Sequence, residues 1–223
     1  TQYAFRPDSS TTLALQTIIN NIHKHTTTRK PTLAIYIDLS KAYDTILHSK
    51  LLHKLKHEFN FTDNTIAFIK SYFTNRKQST HTQHAQSKTQ TITHGIPQGS
   101  TLSTTFFLLY INNIIQTVPN SKVYTYADDT TLVITAESTT NLQQLAQTEL
   151  NNLINYFQYN NLVPNPIKTN YTIFYPPKTN LQLNINSTEL IQNPNSKVIG
   201  VTVEDKFKHH HTISNIIKKL QPI

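Results

Sequence analysis

The chain has 223 residues, with 20 Lys and Arg against 12 Asp and Glu, 11 His and no Cys. The formal net charge of +8 favours a polyanionic partner or an anionic surface, and the lack of Cys excludes disulfides, thiolate zinc sites and a Cys nucleophile. The longest apolar run, residues 106–111, is far shorter than the roughly 18 residues that span a bilayer, so we expect a soluble, non-secreted segment with no membrane partner.

The first part of the chain shows helix and strand patterns in turn. Ser10 precedes apolar residues at helical spacing, which predicts a capped helix that ends near His25. Residues 33–37 are apolar on both faces, which predicts a short strand in the centre of a sheet. Two further amphipathic helices are predicted over residues 47–55 and 66–73.

The middle of the chain combines a polar connection, a buried helix and a hairpin. Residues 78–93 are polar and Thr-rich, which indicates a hairpin or a mobile connection. After the loop at 94–100, residues 102–114 predict the most apolar helix of the chain. Residues 123–126 and 131–134 are β-prone runs, which predict a hairpin with acidic residues at its tip.

The last part of the chain again mixes both types of element. Residues 138–159 predict a long amphipathic helix, and short strands are predicted at 171–175, 181–185 and 197–203. A further helix is possible at 209–220. Intermixed helices, strands and hairpins favour an α+β fold with an antiparallel sheet over a doubly wound parallel fold.

Basic residues are concentrated on the second and third predicted helices and just after them. A solvated face and a contact with a nucleic-acid backbone explain them equally well. The residues are Lys50, Lys54, Lys56, Lys70, Arg76 and Lys77.

Three acidic residues lie at the ends of predicted strands. Asp38 ends the buried strand, while Asp128 and Asp129 form the tip of the hairpin. Antiparallel neighbours bring such positions together, and clustered carboxylates raise one another's pKa unless a cation neutralises them. The pattern therefore predicts a site for divalent cations, two of which suit in-line phosphoryl transfer, although a bare Asp-Asp pair is more often a polar turn. Because strand side chains alternate, Asp128 shares a face with Tyr126 and is the firmer ligand.

Four ordered motifs resemble those of one polymerase family. They are FRP at 5–7, AIYIDLSKAYD at 34–44, GIPQGS at 95–100 and YADD at 126–129, followed by NPIKT at 165–169 and, more weakly, VIGV at 198–201. In this order they resemble the reverse transcriptases of non-LTR (LINE-type) retrotransposons over nearly the whole chain. The resemblance implies the palm of a right-hand polymerase, an α+β fold with an antiparallel sheet packed on helices, plus partial fingers.

The resemblance also implies an activity and roles for individual residues. The activity is RNA-directed DNA polymerisation, in which deoxynucleotides are joined to the 3′-hydroxyl of a DNA primer on an RNA template. Asp38, Asp128 and Asp129 are expected to bind two Mg²⁺ ions, with Mn²⁺ as a substitute. Lys168 is expected to protonate pyrophosphate or neutralise its charge. The other implied contacts are with the nucleotide, at Leu39, Ser40, Lys41, Ala42, Tyr43 and Gln98, and with template or primer, at Gly95, Pro97, Gly99, Tyr126 and Gly200.

Several of these residues also have ordinary structural explanations. Tyr43, expected to exclude a ribose 2′-hydroxyl, is also explained by aromatic packing. Lys168 is also explained as a solvated surface residue, and the loop that contains Gln98 as a helix cap with Pro-Gly turn chemistry. The side chains of His209, His210 and His211 are adjacent and seldom face one ion, so a polar loop or helix start is favoured there.

Domain boundaries and context follow from the same resemblance. Residues 1–32 and 50–97 are expected to form mainly the fingers, residues 33–49 and 98–203 mainly the palm, and residues 204–223 the start of a thumb or a connection. We expect the chain to be part of a larger retrotransposon polyprotein. Nucleus and cytoplasm are implied by the resemblance alone, because the sequence shows no convincing localisation signal.

Two other functions are compatible with the same motifs. A catalytically incompetent partial palm domain would only bind nucleic acid, which the incomplete fingers and thumb favour and the intact acids disfavour. An RNA-templated RNA polymerase is disfavoured, because such enzymes generally carry Gly where this hairpin has Ala127.

Overall fold

The structure, a computed structural model, describes residues 1–177 and 179–205. The possible helix at 209–220 and the three consecutive histidines lie outside the described residues. The helices are α1 (Thr11–Thr27), α2 (His48–His57), α3 (Asp63–Phe73), α4 (Thr101–Ile111), a 3₁₀ helix (Asn112–Thr117) and α5 (Thr139–Tyr159). The strands are β1 (Thr32–Ile37), β2 (Leu39–Ser40), β3 (Lys77–Gln78), β4 (Gln90–Thr91), β5 (Lys122–Tyr126), β6 (Asp129–Thr135), β7 (Val163–Pro164), β8 (Asn170–Tyr175), β9 (Asn184–Ile185), β10 (Thr188–Glu189), β11 (Ile191–Gln192), β12 (Asn195–Val198) and β13 (Val201–Glu204).

A five-stranded sheet in the order β11-β8-β1-β6-β5 forms the centre of the described chain. Its pairs are antiparallel except for the parallel pair of β11 with β8. The strand β1 is central and buried at every position. The predictions of a central strand over residues 33–37 and of an α+β fold with an antiparallel sheet are therefore confirmed.

Alternate residues of β1 enter two different cores. Leu33, Ile35 and Ile37 belong to the larger core, which the apolar faces of α2, α4 and α5 complete. Ala34 and Tyr36 point to the opposite face of the sheet, where they pack with apolar residues of α1 and of the β12–β13 hairpin. Burial on both faces stabilises β1 and explains why its sequence is apolar throughout.

Hydroxyl side chains cap the first turns of α1, α3 and α5. Ser10 Oγ accepts a hydrogen bond from the Leu13 N–H at 3.0 Å, and Ser138 Oγ accepts one from the Asn141 N–H at 3.2 Å. Such caps stabilise a helix by about 1 kcal/mol each. Ser100 does not cap α4, because its Oγ is hydrogen-bonded to the Tyr72 hydroxyl at 2.7 Å. Among the described helices, none is both long enough and apolar enough to cross a membrane.

Two predicted strands differ from those observed. Only Asn184 and Ile185 of the 181–185 segment form a strand, β9. The single strand predicted over residues 197–203 is wrong, since the chain turns there and forms the β12–β13 hairpin. Gly200, with φ of 82°, occupies this turn in a conformation that favours glycine.

Two glutamines of α5 hold the extended segment that leads into β9. Gln147 Oε1 accepts the N–H of Asn184 at 2.9 Å, and its Nε2 donates to the carbonyl of the same residue at 2.9 Å. Gln143, one turn earlier, makes the same pair of bonds with Gln182. The two side-chain amides therefore bind the backbone of this segment as a neighbouring strand would.

Two of the basic residues predicted to lie on an exposed helix face instead attach α2 to α5. Lys54 is 5% exposed, lies 3.6 Å from a carboxylate oxygen of Glu58 and has its ammonium 5.9 Å from the ring centroid of Tyr156 on α5. Lys50 donates to the backbone oxygen of Tyr159 and lies 4.0 Å from the centroid of its ring. Lys54 is too buried for a solvated face or a phosphate contact, whereas Lys50 is partly exposed and is held by the ring and the helix-end carbonyl of Tyr159.

The glutamine contacts predict a stability effect. Gln147→Met keeps the side-chain length but leaves the half-buried N–H and C=O of Asn184 without partners. We expect the free energy of unfolding to fall by about 1–3 kcal/mol, measured by urea denaturation. The matched change Gln144→Met, at an exposed position of the same helix, is expected to leave it unchanged within about 0.5 kcal/mol. Equal stabilities of the two variants would contradict the role of Gln147.

Candidate active site

Strand pairing brings the three predicted acidic residues to one edge of the sheet. The antiparallel strands β1 and β6 pair with Ile37 opposite Thr130. Asp38 follows Ile37 and Asp129 precedes Thr130, so the two aspartates occupy adjacent ends of neighbouring strands. Asp128 lies in the turn between β5 and β6, which the Tyr126–Asp129 pair closes. The structure therefore brings together the acids that the sequence analysis grouped.

The acids interact electrostatically. Partial burial of the Asp129 carboxylate raises its pKa, and the carboxylates of Asp128 and Asp38 raise it further. The ammonium of Lys197 acts in the opposite direction. Because like charges oppose one another's ionisation, this edge of the sheet favours a bound cation.

The donor chemistry of this edge fits a hard divalent cation, since three carboxylates supply the oxygen ligands that Mg²⁺ and Mn²⁺ prefer. In residues 1–177 and 179–205, however, no three Asp, Glu or His side chains stand in an arrangement that already holds an ion. The three carboxylates are therefore of the right type for the expected ions, but their side chains are not arranged as a coordination shell.

Lys168 lies next to Asp38 because a turn after β7 docks on the end of β1. The Asn165 N–H donates to the Asp38 carbonyl at 2.8 Å, and the Asp38 N–H donates to Thr169 Oγ1 at 3.3 Å. Asn165 Oδ1 accepts the N–H groups of Ile167 and Lys168, which shapes the turn. The Lys168 ammonium is then 3.9 Å from Asp38 Oδ2, a solvent-accessible ion pair.

A small cavity of about 110 Å³ separates the acids from the β12–β13 hairpin. Its charged lining residues are Asp38, Asp129, Lys168 and Lys197. Lys197 was not among the residues proposed from sequence. Alternation in β12 is the signal that would have identified it, because Ser196 and Val198 are buried and Lys197 faces the other way.

A larger cavity of about 520 Å³ lies on the other side of the acidic turn. Asp128 lines it together with Lys41, Ala42, Tyr43 and Gln98. Four of the six predicted nucleotide-contacting residues thus share one cavity with an acid. The other two, Leu39 and Ser40, pair with β7 through their backbones and do not line it.

Tyr43 forms a wall of this cavity. Its ring stacks on Phe107 with centroids 4.6 Å apart and planes inclined by 14°. Burial raises the pKa of its hydroxyl, the Asp128 carboxylate raises it further, and a hydrogen bond with Thr104 opposes the shift. Tyr43 is therefore both packed on the core and close to an acid, so packing does not exclude the predicted contact.

The glycine loop before α4 docks on the turn that follows Asp38. The Gly95 N–H donates to the Ile46 carbonyl at 2.7 Å and the Ile96 N–H donates to the Tyr43 carbonyl at 2.9 Å. Gly95 has φ of 82°, and a Cβ there would lie 3.0 Å from the Cα and carbonyl oxygen of Asp44. Gln98 Nε2 donates to Asp44 Oδ1 at 3.3 Å, which gives Asp44 a supporting contact in this loop.

The predicted template and primer residues lie in three places. Gly95 and Pro97 line a cavity of about 690 Å³ with the basic side chains of Arg76 and Lys77. Gly99 belongs to the cavity that Tyr43 lines. The other two stand on hairpins that flank the acids, with Tyr126 at the base of the acidic turn and Gly200 at the tip of β12–β13.

Comparisons of the sequence identify its relatives. The family model described as reverse transcriptase (RNA-dependent DNA polymerase) matches residues 1–203. An RNA-directed DNA polymerase from the mobile element jockey of Drosophila melanogaster is 23% identical over 96% of the chain, and a probable RNA-directed DNA polymerase from transposon BS of the same species is 23% identical over 92%. The chain spans 24% of the length of each of these relatives. The resemblance to reverse transcriptases of non-LTR retrotransposons is confirmed.

Comparisons of the fold agree with these sequence relatives, since the matched structures are telomerases. A telomerase from Candida tropicalis in complex with the TWJ fragment of telomeric RNA superposes with a TM-score of 0.61 at 13% identity, over 91% of this chain and 34% of that one. A telomerase from Candida albicans superposes with a TM-score of 0.58 at 14% identity, over 88% of this chain and 33% of that one. The chain therefore has the right-hand polymerase fold.

The close approach of the glycine loop predicts a difference between two glycine variants. Gly95 and Gly99 share φ of 82°, but a Cβ at Gly99 would meet no atom within 4 Å. We expect Gly99→Ala to destabilise the protein by about 1–2 kcal/mol through its backbone alone, and Gly95→Ala by at least about 1 kcal/mol more through overpacking against Asp44. Thermal and urea unfolding measure the stability of each variant. Equal losses of stability in the two variants would contradict the close approach of Gly95 to Asp44.

Proposed function

The chain belongs to the reverse transcriptase family, and on this premise we propose that it catalyses RNA-directed DNA polymerisation in retrotransposition. The primer 3′-hydroxyl gives its proton to water, its oxygen forms a bond to the α-phosphorus of a deoxynucleoside triphosphate, the α–β phosphoanhydride bond breaks, and pyrophosphate leaves. The observation that best supports this proposal is the meeting of Asp38, Asp128 and Asp129 at one edge of the sheet. Such a cluster suits phosphoryl transfer with divalent ions.

The proposed metal ligands are these three carboxylates. Reverse transcriptases generally use divalent metals, and we propose two Mg²⁺ ions here, with Mn²⁺ as a substitute. When bound, the ions would lower the pKa of the primer hydroxyl and neutralise charge on the phosphates. The backbone positions of Asp38 and Asp129 are fixed because each residue borders a buried strand, β1 or β6, so ion binding costs little backbone freedom.

The cavity between Asp128 and the glycine loop is the proposed nucleotide site. Tyr43 would abut the sugar at C2′ and leave no room for a ribose hydroxyl, since its ring is held against Phe107. Lys41 would pair with phosphate, and Gln98 would lie near the nascent base pair, oriented by Asp44. Leu39 and Ser40 would support this site through their backbones.

Lys168 is proposed to protonate the leaving pyrophosphate or neutralise its charge. Its ammonium already pairs with Asp38, and its exposed side chain is free to reach a neighbouring phosphate. A surface lysine with no role in the reaction would leave the rate of extension unchanged in Lys168→Gln.

The proposed partners are an RNA template, which the family implies, and a DNA primer. The cavity lined by Arg76, Lys77, Gly95 and Pro97 would take the template, because its basic side chains suit a phosphate backbone. The primer end would lie between Tyr126 and Gly200. We propose that residues 1–32 and 50–97 form mainly fingers, 33–49 and 98–203 mainly palm, and that the chain is part of a longer polyprotein.

Substitution of the acids tests the activity. We expect Asp38→Asn and Asp128→Asn each to lower Mg²⁺-dependent extension of a DNA primer on an RNA template by about 10²-fold or more, because carboxylate charge stabilises the transition state through the ions. Asp63→Asn removes an acid of α3 that pairs with Lys56 of α2, and this variant is expected to extend primers like the unaltered chain.

Circular dichroism establishes that each variant is folded. Extension by folded Asp38→Asn and Asp128→Asn at the unaltered rate would refute the site. Salt-sensitive nucleic-acid binding without incorporation by the unaltered chain would instead identify a binding domain that lacks catalysis. Incorporation of ribonucleotides on an RNA template in preference to deoxynucleotides would identify an RNA polymerase.

Substitution of Tyr43 tests sugar selection. We expect Tyr43→Ala to lower the ratio of kcat/KM for a deoxynucleotide to that for the matching ribonucleotide by about 10–200-fold, because space opens at the sugar. Tyr43→Phe keeps the ring and its stacking on Phe107 and is expected to keep the ratio within about twofold. An unchanged ratio in Tyr43→Ala would leave Tyr43 with a packing role only.

A further inference from the structure

The segment Thr1–Ala4 lies along the outer edge of β5, the last strand of the central sheet. The Tyr3 N–H donates to the Thr125 carbonyl at 2.9 Å, and the Thr125 N–H donates to the Thr1 carbonyl at 3.0 Å. The rings of Tyr3 and Tyr124 stack with centroids 6.5 Å apart. Because β5 leads directly into the acidic turn, this segment is fixed next to the turn.

Gln2 extends its side-chain amide to the turn itself. Its Oε1 accepts the N–H of Ala127 at 3.3 Å and the N–H of Ala4 at 2.9 Å. The residue is only 7% exposed. In a hairpin closed by the Tyr126–Asp129 pair, the N–H of the first turn residue has no partner in the strand ladder, so the Gln2 side chain supplies the acceptor that it needs.

The turn needs such support because of its backbone. Ala127 has φ of 54°, a conformation that is unfavourable for a residue with a Cβ. Residues in such conformations persist when their surroundings hold them. The hydrogen bond to Gln2 holds the peptide group between Tyr126 and Ala127, and the Asp128 carboxylate follows one residue later.

We propose that Gln2 is a positioning residue for Asp128. Through the Ala127 N–H, it holds the turn in the conformation in which Asp128 faces the cavity lined by Tyr43 and Gln98. The catalytic consequence rests on the polymerase function proposed above, whereas the hydrogen bond and its effect on the turn do not depend on it.

Gln2→Met is the informative variant. Methionine has nearly the length of glutamine but lacks the acceptor. The Nε2 of Gln2 is buried and has no partner within the described part of the chain, so its removal leaves no acceptor unpaired there. Gln158→Met makes the same chemical change at an exposed position of α5 and serves as the matched control.

Hydrogen exchange of single amides, followed by NMR, measures the turn without any need for activity. We expect the Ala127 amide to be protected in the unaltered chain and to exchange at least about tenfold faster in Gln2→Met, as the loss of one hydrogen bond predicts. The amides of β1 and β8 are expected to remain among the most protected of the chain in both variants, since the packing of the central strands is not altered.

Primer extension measures the consequence for catalysis. We expect Gln2→Met to lower kcat about tenfold while the KM for the deoxynucleotide stays within about twofold, because Asp128 is misplaced while the other residues that line the nucleotide cavity keep their positions. Gln158→Met is expected to match the unaltered chain in both constants. A merely structural role of Gln2 would lower the folded fraction and leave kcat per folded molecule unchanged.

The outcomes separate this proposal from the proposed function. An unprotected Ala127 amide in the unaltered chain, which needs no variant to fold, would overturn the proposal, as would equal exchange in Gln2→Met. Faster exchange with an unchanged kcat would also overturn the assignment as a positioning residue. The Ala127 amide could be protected in the unaltered chain and exchange faster in Gln2→Met although the unaltered chain incorporates no nucleotide. That result would support the contact between Gln2 and the turn and reject the polymerase function.

Discussion

The register of β1 against β6 determines where the acids stand. β1 is buried on both faces, so a shift of one residue would exchange the side chains that enter the two cores. With Ile37 opposite Thr130, burial ends on both strands at the same edge, and Asp38 and Asp129 follow as the first charged residues. The apolar cores thereby hold like charges together that would otherwise separate.

Opposite charges are distributed around this acidic edge. No Asp or Glu occurs in the sequence between Asp63 and Asp128, so the helix α4 and the glycine loop bring no negative charge near the acids. Lys168 and Lys197 stand on one side of the carboxylates, and Arg76 and Lys77 line the cavity beyond the glycine loop. These basic side chains would attract a polyanion to a site whose carboxylates would otherwise repel it.

Local patterns predicted much of this structure. The helix that Ser10 caps, the buried strand and the acidic hairpin each depend on a few neighbouring residues, and the shared edge of the acids follows from antiparallel pairing. Contacts between distant residues could not be predicted in this way. Lys54 looks like an exposed lysine until α5 packs on it, and Gln2 contacts a residue 125 positions later. The local pattern over residues 197–203 predicted one strand, because the residues on both sides of the turn at Gly200 are β-prone.

The most direct test of the converging acids is cleavage of the chain by hydroxyl radicals from bound Fe²⁺. Fe²⁺ that replaces Mg²⁺ in the site, with ascorbate and peroxide, cuts the backbone close to where the ion is held. The account predicts cuts both near Asp38 and within residues 126–129, suppressed together by excess Mg²⁺ and lost together in Asp128→Asn. Cuts near only one of the two segments, or cuts that persist in Asp128→Asn, would contradict it.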